Sequence, residues 1–358
     1  MSSPTRFRVA LLGCGRIAHV HAGYLRQVPE VDFVGACDLE ASLREAFTAR
    51  WQVPTYAEID ELLAASQPDV VHLLTPPATH PRLAVELLQR GVHLMVEKPM
   101  AFSVAEADAM VQAAQIAGRL ITVDHNRWFD PVVQRARHLL ESGRLGSLVG
   151  VEVFAGAAVG EADLPSAEHW KASLPGGILY DLAPHPVYLL LGFLGDVKDL
   201  QVVHRSDANG HLEEVRAIID GTRCLGSLTI SANTRPFANR ISLYGSNMSA
   251  EVNLNNMTLI VRQTRQVPKL VGKVLPNLDE AAQLLRATLQ NGAEFVTGRQ
   301  RFFPGMGLHF RELYRALSEG RPAPVSARDG RNAVWLLQEI WKRCGVSMVP
   351  GPGRVASK

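Results

Sequence analysis

A glycine-rich turn near the beginning of the chain has the spacing of a phosphate-binding loop. The segment Gly13-Cys14-Gly15-Arg16-Ile17-Ala18 follows a short apolar run and opens a stretch with helical periodicity. In such a turn the first glycine permits a tight bend and the second lets a pyrophosphate approach the backbone. The small third residue allows the helix to pack closely on the strand. A GxGxxA pattern in this position indicates dinucleotide binding.

An acidic residue ends the next predicted strand. Asp38 lies 25 positions after Gly13, in the sequence Gly-Ala-Cys-Asp-Leu. A carboxylate at this position accepts the ribose hydroxyls of an adenosine and repels a 2′-phosphate, which favours NAD over NADP. Arg44 follows closely and could instead hold a phosphate, so NADP stays open. The simpler interpretation is a glycine turn followed by an aspartate that caps a helix.

Polar residues also follow two later strands, in Thr75-Pro76-Pro77-Ala78-Thr79-His80 and in Glu97-Lys98-Pro99. Ligands of open parallel sheets bind beyond the carboxyl ends of the strands. Thr75 could therefore reach a nicotinamide. Lys98 could hydrogen-bond a substrate oxygen and stabilise its alkoxide character as hydride leaves. The alternatives are a proline strand terminator for the first segment and a surface turn for the second.

A histidine in the second half of the chain could serve as a general base. Asp181 and His185 lie four residues apart in the segment that begins at Gly176. On a helix they would share a face, and the carboxylate would orient the imidazole. Histidine titrates near neutral pH, which suits removal of a hydroxyl proton. Pro184 and Pro186 predict a helix that begins around them, with Asp181 in a preceding turn. The alternative is a capping aspartate and a packed histidine.

The remaining polar residues give weaker indications. Functional and structural roles are equally plausible for two groups, which are His125, Asn126 and Arg127, and His169, Trp170 and Lys171. We assign structural or solvated roles to the other histidines, at 19, 21, 72, 93, 138, 204, 211 and 309. The assignment is least secure for His19 and His21, because they lie close to the glycine turn.

The first third of the chain has the alternation that would position these strand ends. Short apolar strands are predicted at 7–12, 31–37, 70–74, 92–96 and 120–123, with helices at 17–25, 41–50, 82–89 and 104–117. Ser103 and Glu106 form a capping-box pattern at the start of the last of these helices. Strands of this length separated by helices form βαβ units, which assemble into a doubly wound parallel sheet.

After about residue 124 the pattern changes to longer alternating strands, at 148–155, 197–204, 225–232, 241–244 and 259–262. Helices are predicted at 132–142, 187–194, 278–296, 306–318 and 333–344. The fold class is therefore α/β, with an N-terminal Rossmann domain at 1–126 and a C-terminal α+β domain at 127–345. The second domain has a large, open-faced, mostly antiparallel sheet. The last helices are free to pack back on the first domain, and 346–358 is a tail.

Composition excludes several classes of protein. The 358 residues, 47% of them hydrophobic and 20% charged, suit about two globular domains. The net charge of +2 is spread along the chain, which argues against nucleic acid or a membrane as a partner. The chain has no apolar run long enough for a membrane span and no secretory signal pattern. Its four scattered cysteines predict neither disulfides nor a metal site. We expect a cytoplasmic protein.

Taken in order, the chemical motifs resemble those of one known family. They are the GxGxxA turn, Asp38, the Thr-Pro-Pro-x-x-His segment at 75–80, Glu-Lys-Pro at 97–99 and Gly-Gly-x-x-x-Asp-x-x-x-His at 176–185. This set resembles the Gfo/Idh/MocA family, named for glucose–fructose oxidoreductase, inositol dehydrogenase and a rhizopine-catabolism protein. The resemblance extends over roughly residues 5 to 345. It implies a Rossmann domain followed by an α/β domain whose open sheet commonly mediates dimers or tetramers.

The resemblance also implies an activity. Family members mostly oxidise or reduce a carbinol of a sugar, cyclitol or related polyol with NAD(P). The chain is therefore expected to be a nucleotide-binding oxidoreductase, a sugar dehydrogenase acting on CH–OH groups. NAD is the expected cofactor and NADP the alternative, the substrate is a small polyol or sugar, and the protein is a homodimer or homotetramer.

Site residues follow from the resemblance by position. Lys98 matches the catalytic lysine of the family, and Asp181 and His185 match its acid–base pair. The cofactor positions are Gly13, Gly15, Arg16, Ile17, Asp38, Thr75, Pro76, His80, Glu97 and Lys98. The positions that often touch substrate or nicotinamide are Arg127 and Trp170.

Two residues depart from the family pattern. The usual run of three glycines is Pro175-Gly176-Gly177, and the acidic residue often found three positions after the motif histidine is Tyr188. Both departures affect the expected details of the substrate pocket.

The resemblance implies a mechanism in which His185, oriented by Asp181, takes the hydroxyl proton while Lys98 polarises the same oxygen. Hydride then passes from the carbinol carbon to C4 of the nicotinamide. Two other classes stay open, an enzyme that retains NAD and oxidises its substrate transiently, and a non-catalytic nucleotide sensor. The presence of all three residues argues against the sensor. The sequence leaves open the substrate, the direction of reaction and the oligomeric state.

Overall fold

The computed structural model describes residues 6–157, 170–297 and 303–348. The chain divides into two compact units. The first comprises Met1–Asn126 with Met306–Gln338, and the second comprises Arg127–Gly305 with Glu339–Lys358. His169 and most of the predicted tail lie outside the described residues.

The first unit is built on a six-stranded parallel sheet. Its strands are β1 (Phe7–Leu12), β2 (Val31–Cys37), β3 (Thr55–Tyr56), β4 (Val70–Leu73), β5 (His93–Val96) and β6 (Ile121–Val123). The helices between them are α1 (Arg16–Leu25), α2 (Ala41–Trp51), α3 (Ile59–Ser66), α4 (His80–Gln89) and α5 (Val104–Ala117). The strands are short, and β4 is buried along its whole length, as expected when helices cover both faces of a sheet.

Strand order in this sheet is β3-β2-β1-β4-β5-β6. The chain runs outward from β1 in one direction and then returns to continue from β4 in the other, so the switch point lies between β1 and β4. Here Val9 pairs with Val70 and Leu12 with Leu73. This order confirms the predicted doubly wound sheet and brings the turns after β1 and β4 to the same edge.

The second unit contains α6 (Pro131–Glu141), β7 (Leu148–Gly156) and the two short helices α7 (Leu179–Leu182) and α8 (Pro184–Leu194). Strands β8 (Val197–Ser206), β9 (Leu212–Gly221), β10 (Leu225–Ser231), β11 (Ala238–Gly245), β12 (Met248–Asn253) and β13 (Thr258–Gln263) follow, and then helix α9 (Val271–Val296). Helices α10 (Pro304–Ser318) and α11 (Ala327–Arg343) complete the described chain.

The seven strands of the second unit form one sheet in the order β13-β12-β11-β7-β10-β9-β8. Every neighbouring pair is antiparallel except β7 and β10. Helix α8 packs against β7 and β10 through an almost continuous apolar surface. The predicted mostly antiparallel C-terminal sheet is therefore confirmed.

The sequence patterns found most elements but missed five. Strands β9 and β12, the two-residue strand β3 and the helices α3 and α7 were absent from the predicted set, and Asp181, expected in a turn, lies in α7. Helix α9 begins at Val271, seven residues before its predicted start, and contains Pro276. The predicted capping box is present, since Ser103 accepts from the Glu106 amide and Glu106 accepts from the Ser103 amide. Within the described residues, every helix is too short or too polar to cross a membrane.

Candidate active site

The glycine turn after β1 is held between two strand ends. Gly13 has a φ of +106°, a backbone conformation that favours glycine. A Cβ at this position would lie 3.0 Å from both the carbonyl carbon and the oxygen of Leu74. The Gly13 amide donates to the Cys37 carbonyl at 2.7 Å. The turn therefore contacts the backbone that follows β4 and the end of β2 at once.

The N-terminus of α1 is open in the way that a pyrophosphate requires. Gly15 is the N-cap residue, and no described side chain caps the first turn. A Cβ at Gly15 would meet no heavy atom within 4 Å among the described residues. The first amides of a helix have no partner within the helix and carry the positive end of its dipole. The turn thus combines space with hydrogen-bond donors, and it fits a pyrophosphate group.

Both oxygens of the Asp38 carboxylate are fixed beside this turn. Oδ2 accepts from the Cys14 amide at 2.7 Å and Oδ1 accepts from the Glu40 amide at 2.9 Å. The guanidinium of Arg44 donates to the main-chain carbonyls of Asp38 and Leu39 at 2.8 and 2.9 Å. The carboxylate is thus anchored beside the loop predicted to hold phosphate, and Arg44 is anchored to the same stretch of backbone.

His80 joins the chain after β4 to the chain after β5. Its Nε2 lies 2.8 Å from the Thr75 carbonyl oxygen and its Nδ1 lies 3.1 Å from the Pro99 carbonyl oxygen. Burial lowers the pKa of His80 to about 4, against the opposing effect of these backbone hydrogen bonds. A neutral imidazole carries one N–H and can donate to only one of the two carbonyls at a time. The ring therefore supports the Thr75 turn and the Lys98–Pro99 turn together.

Beneath this edge lies a buried histidine cluster, consisting of His21, His72, Asp124, His309 and Tyr314. All five side chains are fully buried. His72 Nε2 lies 2.7 Å from the Tyr314 hydroxyl, and Nδ1 of His72 lies 2.9 Å from Nδ1 of His21. The Asp124 carboxylate lies 3.4 Å from His21 Nε2 and 3.2 Å from His309 Nδ1. A continuous polar chain thus runs through the core of the first unit.

Asp124 stays ionised in this environment. Burial alone would raise the pKa of its carboxyl group, but the polar contacts and charges of His21 and His309 outweigh that effect. They hold the pKa of Asp124 well below its usual range. At the other end of the chain, burial holds the pKa of His72 well below the usual value, so its ring is neutral.

The cluster reaches the residue that precedes Lys98. Ligand atoms of His21, Glu97 and Asp124 all lie within 4.8 Å of one another. The Glu97 amide donates to the Leu73 carbonyl at 2.9 Å, which continues the pairing of β5 with β4. The Glu97 side chain therefore lies beside the buried histidine cluster. Lys98 follows at the point where the pairing of β5 with β4 ends.

In the second unit, Asp181 forms an ion pair with Lys171. The Lys171 Nζ donates to Asp181 Oδ2 at 2.6 Å, and both side chains are about three-quarters buried. Asp181 lies in the short helix α7, and α8 begins at Pro184 as predicted. Trp170 lies beside the ion pair, with its ring centroid 5.6 Å from the Lys171 Nζ.

His185 is contacted by the residue that departs from the family pattern. Its Nδ1 lies 2.8 Å from the Tyr188 hydroxyl, and the Arg127 amide donates to the same hydroxyl oxygen at 3.1 Å. A hydroxyl oxygen can accept two hydrogen bonds. When the Nδ1–H of His185 donates to Tyr188, Nε2 carries a lone pair and can accept a proton. Tyr188 thus takes the position that orients the imidazole.

The double glycine before α7 packs against a buried tryptophan. Gly176 and Gly177 have φ values of +71° and +85°. A Cβ at Gly176 would lie 2.9 Å from the indole nitrogen of Trp341, which donates to the Pro175 carbonyl at 2.8 Å. Pro175 therefore supplies an acceptor at the position where the family usually has a glycine.

Arg127, one of the two residues predicted to contact substrate, lies beside a carboxyl group whose pKa is raised. Its guanidinium lies 3.9 Å from Asp130 Oδ2. Burial raises the pKa of Asp130 to about 6, although Arg127 and a hydrogen bond from the Gly305 amide act in the opposite direction. No pattern in the sequence had pointed to Asp130.

Two family models match successive parts of this chain. Residues 7–125 match the oxidoreductase family with an NAD-binding Rossmann fold, and residues 133–251 match the Gfo/Idh/MocA C-terminal domain. The chain belongs to the Gfo/Idh/MocA family. The Rossmann match begins with β1 and ends after β6, so it contains every cofactor position predicted from the motifs.

Individual relatives are more distant. A D-apiose dehydrogenase of Paraburkholderia graminis is 30% identical over 54% of this chain and 52% of its own. The scyllo-inositol 2-dehydrogenase (NAD+) of Bacillus subtilis is 28% identical over 68% of this chain and 70% of its own. An uncharacterised Schizosaccharomyces pombe oxidoreductase is 32% identical over 50% of this chain and 49% of its own. The chain thus spans about half the length of some curated relatives.

A solved structure shares the Gfo/Idh/MocA fold over nearly the whole chain. The WlbA dehydrogenase of Bordetella pertussis, in complex with NADH and UDP-GlcNAcA, superposes with a TM-score of 0.80. The sequence identity is 22%, over 96% of this chain and 97% of that one. At this identity the likeness concerns the fold.

The buried histidines predict how the stability of the first unit depends on pH. Burial lowers the pKa of His72 well below its usual value, that of His80 to about 4 and that of His125 to about 3. As pH falls below about 6.5, the unfolded chain protonates these rings and the folded chain does not, so stability is lost. Each ring contributes a slope of about 1.4 kcal/mol per pH unit, and three together about 4.

The experiment measures urea unfolding of the parent, His80→Gln and His204→Gln. The pH range, from about 7.5 to about 5.5, brackets the titration of a histidine in an unfolded chain. His204 is exposed and serves as the control. Because the unfolded ring is only half protonated at its pKa of about 6.5, the average slope over this pH range is about half of the limiting slope. We expect the His80→Gln slope to be shallower by about 0.7 kcal/mol per pH unit and the control slope to equal the parent's. Equal slopes in all three proteins would contradict the interpretation.

Proposed function

We propose that this protein transfers a hydride between a nicotinamide cofactor and a hydroxyl-bearing or keto carbon of a sugar, cyclitol or related polyol. The observation that carries the proposal is the succession of groups along one edge of the parallel sheet. Asp38 follows β2, the glycine turn follows β1, Thr75 follows β4 and Lys98 follows β5, in four neighbouring strands. Adjacent strands lie about 4.8 Å apart, so the row suits an extended dinucleotide.

NAD would bind along the turns that follow β2, β1 and β4. Asp38 would accept the adenosine ribose hydroxyls, and the open amides at Gly15 and the first turn of α1 would bind the pyrophosphate. Thr75 and the turn supported by His80 would face the nicotinamide half. When bound, the cofactor supplies the hydride acceptor. We favour NAD over NADP because both oxygens of Asp38 are fixed beside the glycine turn.

Lys98 would act on the substrate oxygen. Its ammonium is a fixed positive charge at a strand end, and such a charge stabilises an oxygen that becomes more negative as hydride leaves the adjacent carbon. Support for this residue comes from both sides of the turn. His80 bonds the Pro99 carbonyl, and Glu97 borders the buried histidine cluster. These contacts hold the backbone on both sides of Lys98 in place.

His185 would exchange the hydroxyl proton at Nε2. Tyr188 contacts Nδ1, and Nε2 can accept a proton in the tautomer in which Nδ1–H donates to the Tyr188 hydroxyl. Asp181 lies four residues earlier. Lys171 holds the Asp181 carboxylate at 2.6 Å. Loss of the hydroxyl proton to His185 and of hydride from the same carbinol leaves a carbonyl.

The substrate class rests on the relatives. Two of the three reported above are named as dehydrogenases of D-apiose and scyllo-inositol, both polyhydroxylated, and the WlbA structure contains a nucleotide sugar derivative. Arg127 and Trp170 are the side chains we assign to substrate contact. An enzyme that retains NAD through a transient oxidation is distinguished by the absence of NADH accumulation in bulk solution.

Self-association through the C-terminal sheet belongs to the proposal. Val203, Ile218 and Leu225 are 74%, 59% and 60% exposed. The pairing registers place them on one face, because Val203 lies opposite Arg216 and Leu225 lies opposite Asp220, each two residues from Ile218. An open face with apolar side chains suits a homodimer or a homotetramer.

Replacement of Lys98 tests the catalytic assignment. With a polyol and nucleotide-sugar panel and NAD+, followed by NADH absorbance, we expect Lys98→Met to lower kcat by about 10²- to 10³-fold, since one electrostatic contact to the developing charge is lost. Affinity for NAD+ should change little. Lys198→Met, at an exposed lysine of β8, is the control. A Lys98→Met enzyme with parental kcat would contradict the assignment.

Replacement of Tyr188 tests the orientation of His185. Tyr188→Phe keeps the ring and removes the hydroxyl that contacts Nδ1, so we expect kcat to fall by about tenfold, the effect of a lost hydrogen bond on the base. His185→Asn should abolish the near-neutral limb of the pH–rate profile, whereas Tyr188→Phe should retain it. A near-neutral limb that persists in His185→Asn would show that another group is the base.

Asp38→Asn tests the choice of cofactor. The amide keeps the shape of the side chain and removes the charge that repels a 2′-phosphate. It also loses one of the two main-chain hydrogen bonds that the carboxylate accepts, so the relative affinity for NAD+ and NADP+ is the readout. We expect NAD+ to bind roughly 10- to 100-fold more weakly, as for a lost charged hydrogen bond, and NADP+ to bind more tightly. The control is Asp32→Asn, at an exposed acid of the same strand. Calorimetric titration measures both affinities, and an unchanged NAD+ to NADP+ ratio in Asp38→Asn would refute this role.

A further inference from the structure

Helix α9 exposes an apolar stripe along its whole length. It is 26 residues long, about 39 Å, and none of its residues is buried. Eight large apolar side chains of α9 are exposed, and two of them, Leu284 and Phe295, lie to one side of the stripe. The other six are between 45% and 84% exposed and form the stripe: Val271, Val274, Leu278, Leu285, Leu289 and Val296. Spacings of three, four and seven residues place these side chains on one face, because successive residues turn by about 100°.

The opposite face of α9 is polar and binds the edge strand β13. Glu280 forms a two-bond ion pair with Arg262 at 2.7 and 2.8 Å. Gln283 both donates to and accepts from the backbone of Val261 at 2.9 Å. Gln283 and Leu285 are roughly 200° apart around the helix. The helix is thus attached through its polar face, and its apolar face points away from the strand that holds it.

This arrangement is the reverse of an ordinary surface helix, in which the apolar stripe faces the core. The stripe amounts to several hundred Å² of contiguous apolar surface, at or beyond the largest patch of a typical monomer. It is comparable with the roughly 800 Å² that each partner contributes to a standard interface. An area of this size points to a protein partner.

The charges beside the stripe identify that partner. Asp279 and Arg286 are seven residues apart and flank the same edge, whereas Ala281 and Thr288 flank the other. When two such helices pair antiparallel, like edges meet, so Asp279 faces Arg286 of the second copy and the reverse pair forms by symmetry. Parallel pairing would place the charged edge against an uncharged one. Within the chain, Asp279 Oδ1 lies 3.3 Å from the guanidinium of Arg265, and Oδ2 accepts from Gln283 Nε2 at 3.3 Å. The Asp279 side chain is still 40% exposed, and each carboxylate oxygen can accept a further hydrogen bond.

We propose that α9 pairs antiparallel with α9 of a second copy of this chain across a twofold axis near the middle of the helix. The pairing buries both apolar stripes and closes two Asp279–Arg286 ion pairs. It is independent of the proposed enzymatic function. Where the sheet face also self-associates, the two contacts together produce a tetramer.

A membrane surface suits the helix less well than a second copy. Interfacial helices carry lysine and arginine on the polar face. The charged residues of α9 are Lys273, Asp279, Glu280, Arg286 and Glu294, with a net charge of −1. Its polar face is also occupied by the contacts with β13.

The first experiment measures particle mass by light scattering. We expect Leu285→Glu/Leu289→Glu to halve the mass of the parent, since two carboxylates on each copy would be buried at the pairing surface. Ile116→Glu, at an 80% exposed residue of α5, should leave the mass unchanged. Far-ultraviolet circular dichroism and thermal midpoints are compared, so that dissociation is separated from unfolding. A single-chain parent, or an unchanged mass in a folded double variant, would overturn the proposal.

The second experiment tests the antiparallel geometry. Both variants of this test carry Arg265→Ala, which removes the cation beside position 279. In that background Arg286→Asp places carboxylates opposite each other and should weaken association by about tenfold, and Asp279→Arg/Arg286→Asp should restore it. Failure of the double variant to restore association would overturn the antiparallel pairing. Co-flotation of the parent with phosphatidylcholine–phosphatidylserine vesicles, lost in the Leu285→Glu/Leu289→Glu variant, would also overturn the proposal in favour of a membrane.

Discussion

The close approach of Gly13 to the backbone after β4 is the contact on which the cofactor edge depends. A side chain at Gly13 would meet main-chain atoms of Leu74 at 3.0 Å, and backbone in a parallel sheet cannot move aside as a flexible side chain can. Because the turn lies so close, the Cys14 amide is within reach of the Asp38 carboxylate. One steric constraint thus sets the start of α1, the orientation of Asp38 and the space at Gly15.

The buried histidine cluster supports the same edge from below. Polar groups in a core are costly unless they are paired, and the cluster brings them together from four parts of the chain: His21 in α1, His72 in β4, Asp124 after β6 and His309 in α10. His21 Nε2 approaches Asp124 at 3.4 Å without forming a hydrogen bond. Helix α10 is far away in sequence and belongs to the first unit. The fixed ends of β4 and β5 therefore depend on residues from the beginning and the end of the chain.

Much of the fold could be predicted from sequence because its signals are local. The period of each strand and helix, the glycine turn and the Ser103 capping box all act over a few residues. Strands β9 and β12 escaped prediction because their polar faces break the apolar runs, and β3 is too short to carry a pattern. The two-sheet architecture nevertheless followed from the change of period near residue 124.

The site could be predicted less completely. The motif positions named Lys98, Asp181 and His185, and those roles remain a proposal. Lys171, which pairs with Asp181, was among the candidates, but the pairing itself was not predicted. Tyr188 was noted only as a departure from a pattern, yet its hydroxyl lies 2.8 Å from His185. The buried histidine cluster was also missed, because its partners are remote: His309 lies 185 residues from Asp124, and Tyr314 lies 242 residues from His72. Only three-dimensional packing could give these remote partners.

The most direct test of the account is a calorimetric titration of the nucleotide-free protein with NAD+ and with NADP+, preceded by analysis of any nucleotide released on denaturation. The account predicts one NAD+ per chain with micromolar affinity, clearly tighter than NADP+, because the pyrophosphate meets open amides and the ribose meets Asp38. Absence of binding by either nucleotide, with none released from the purified protein, would contradict it.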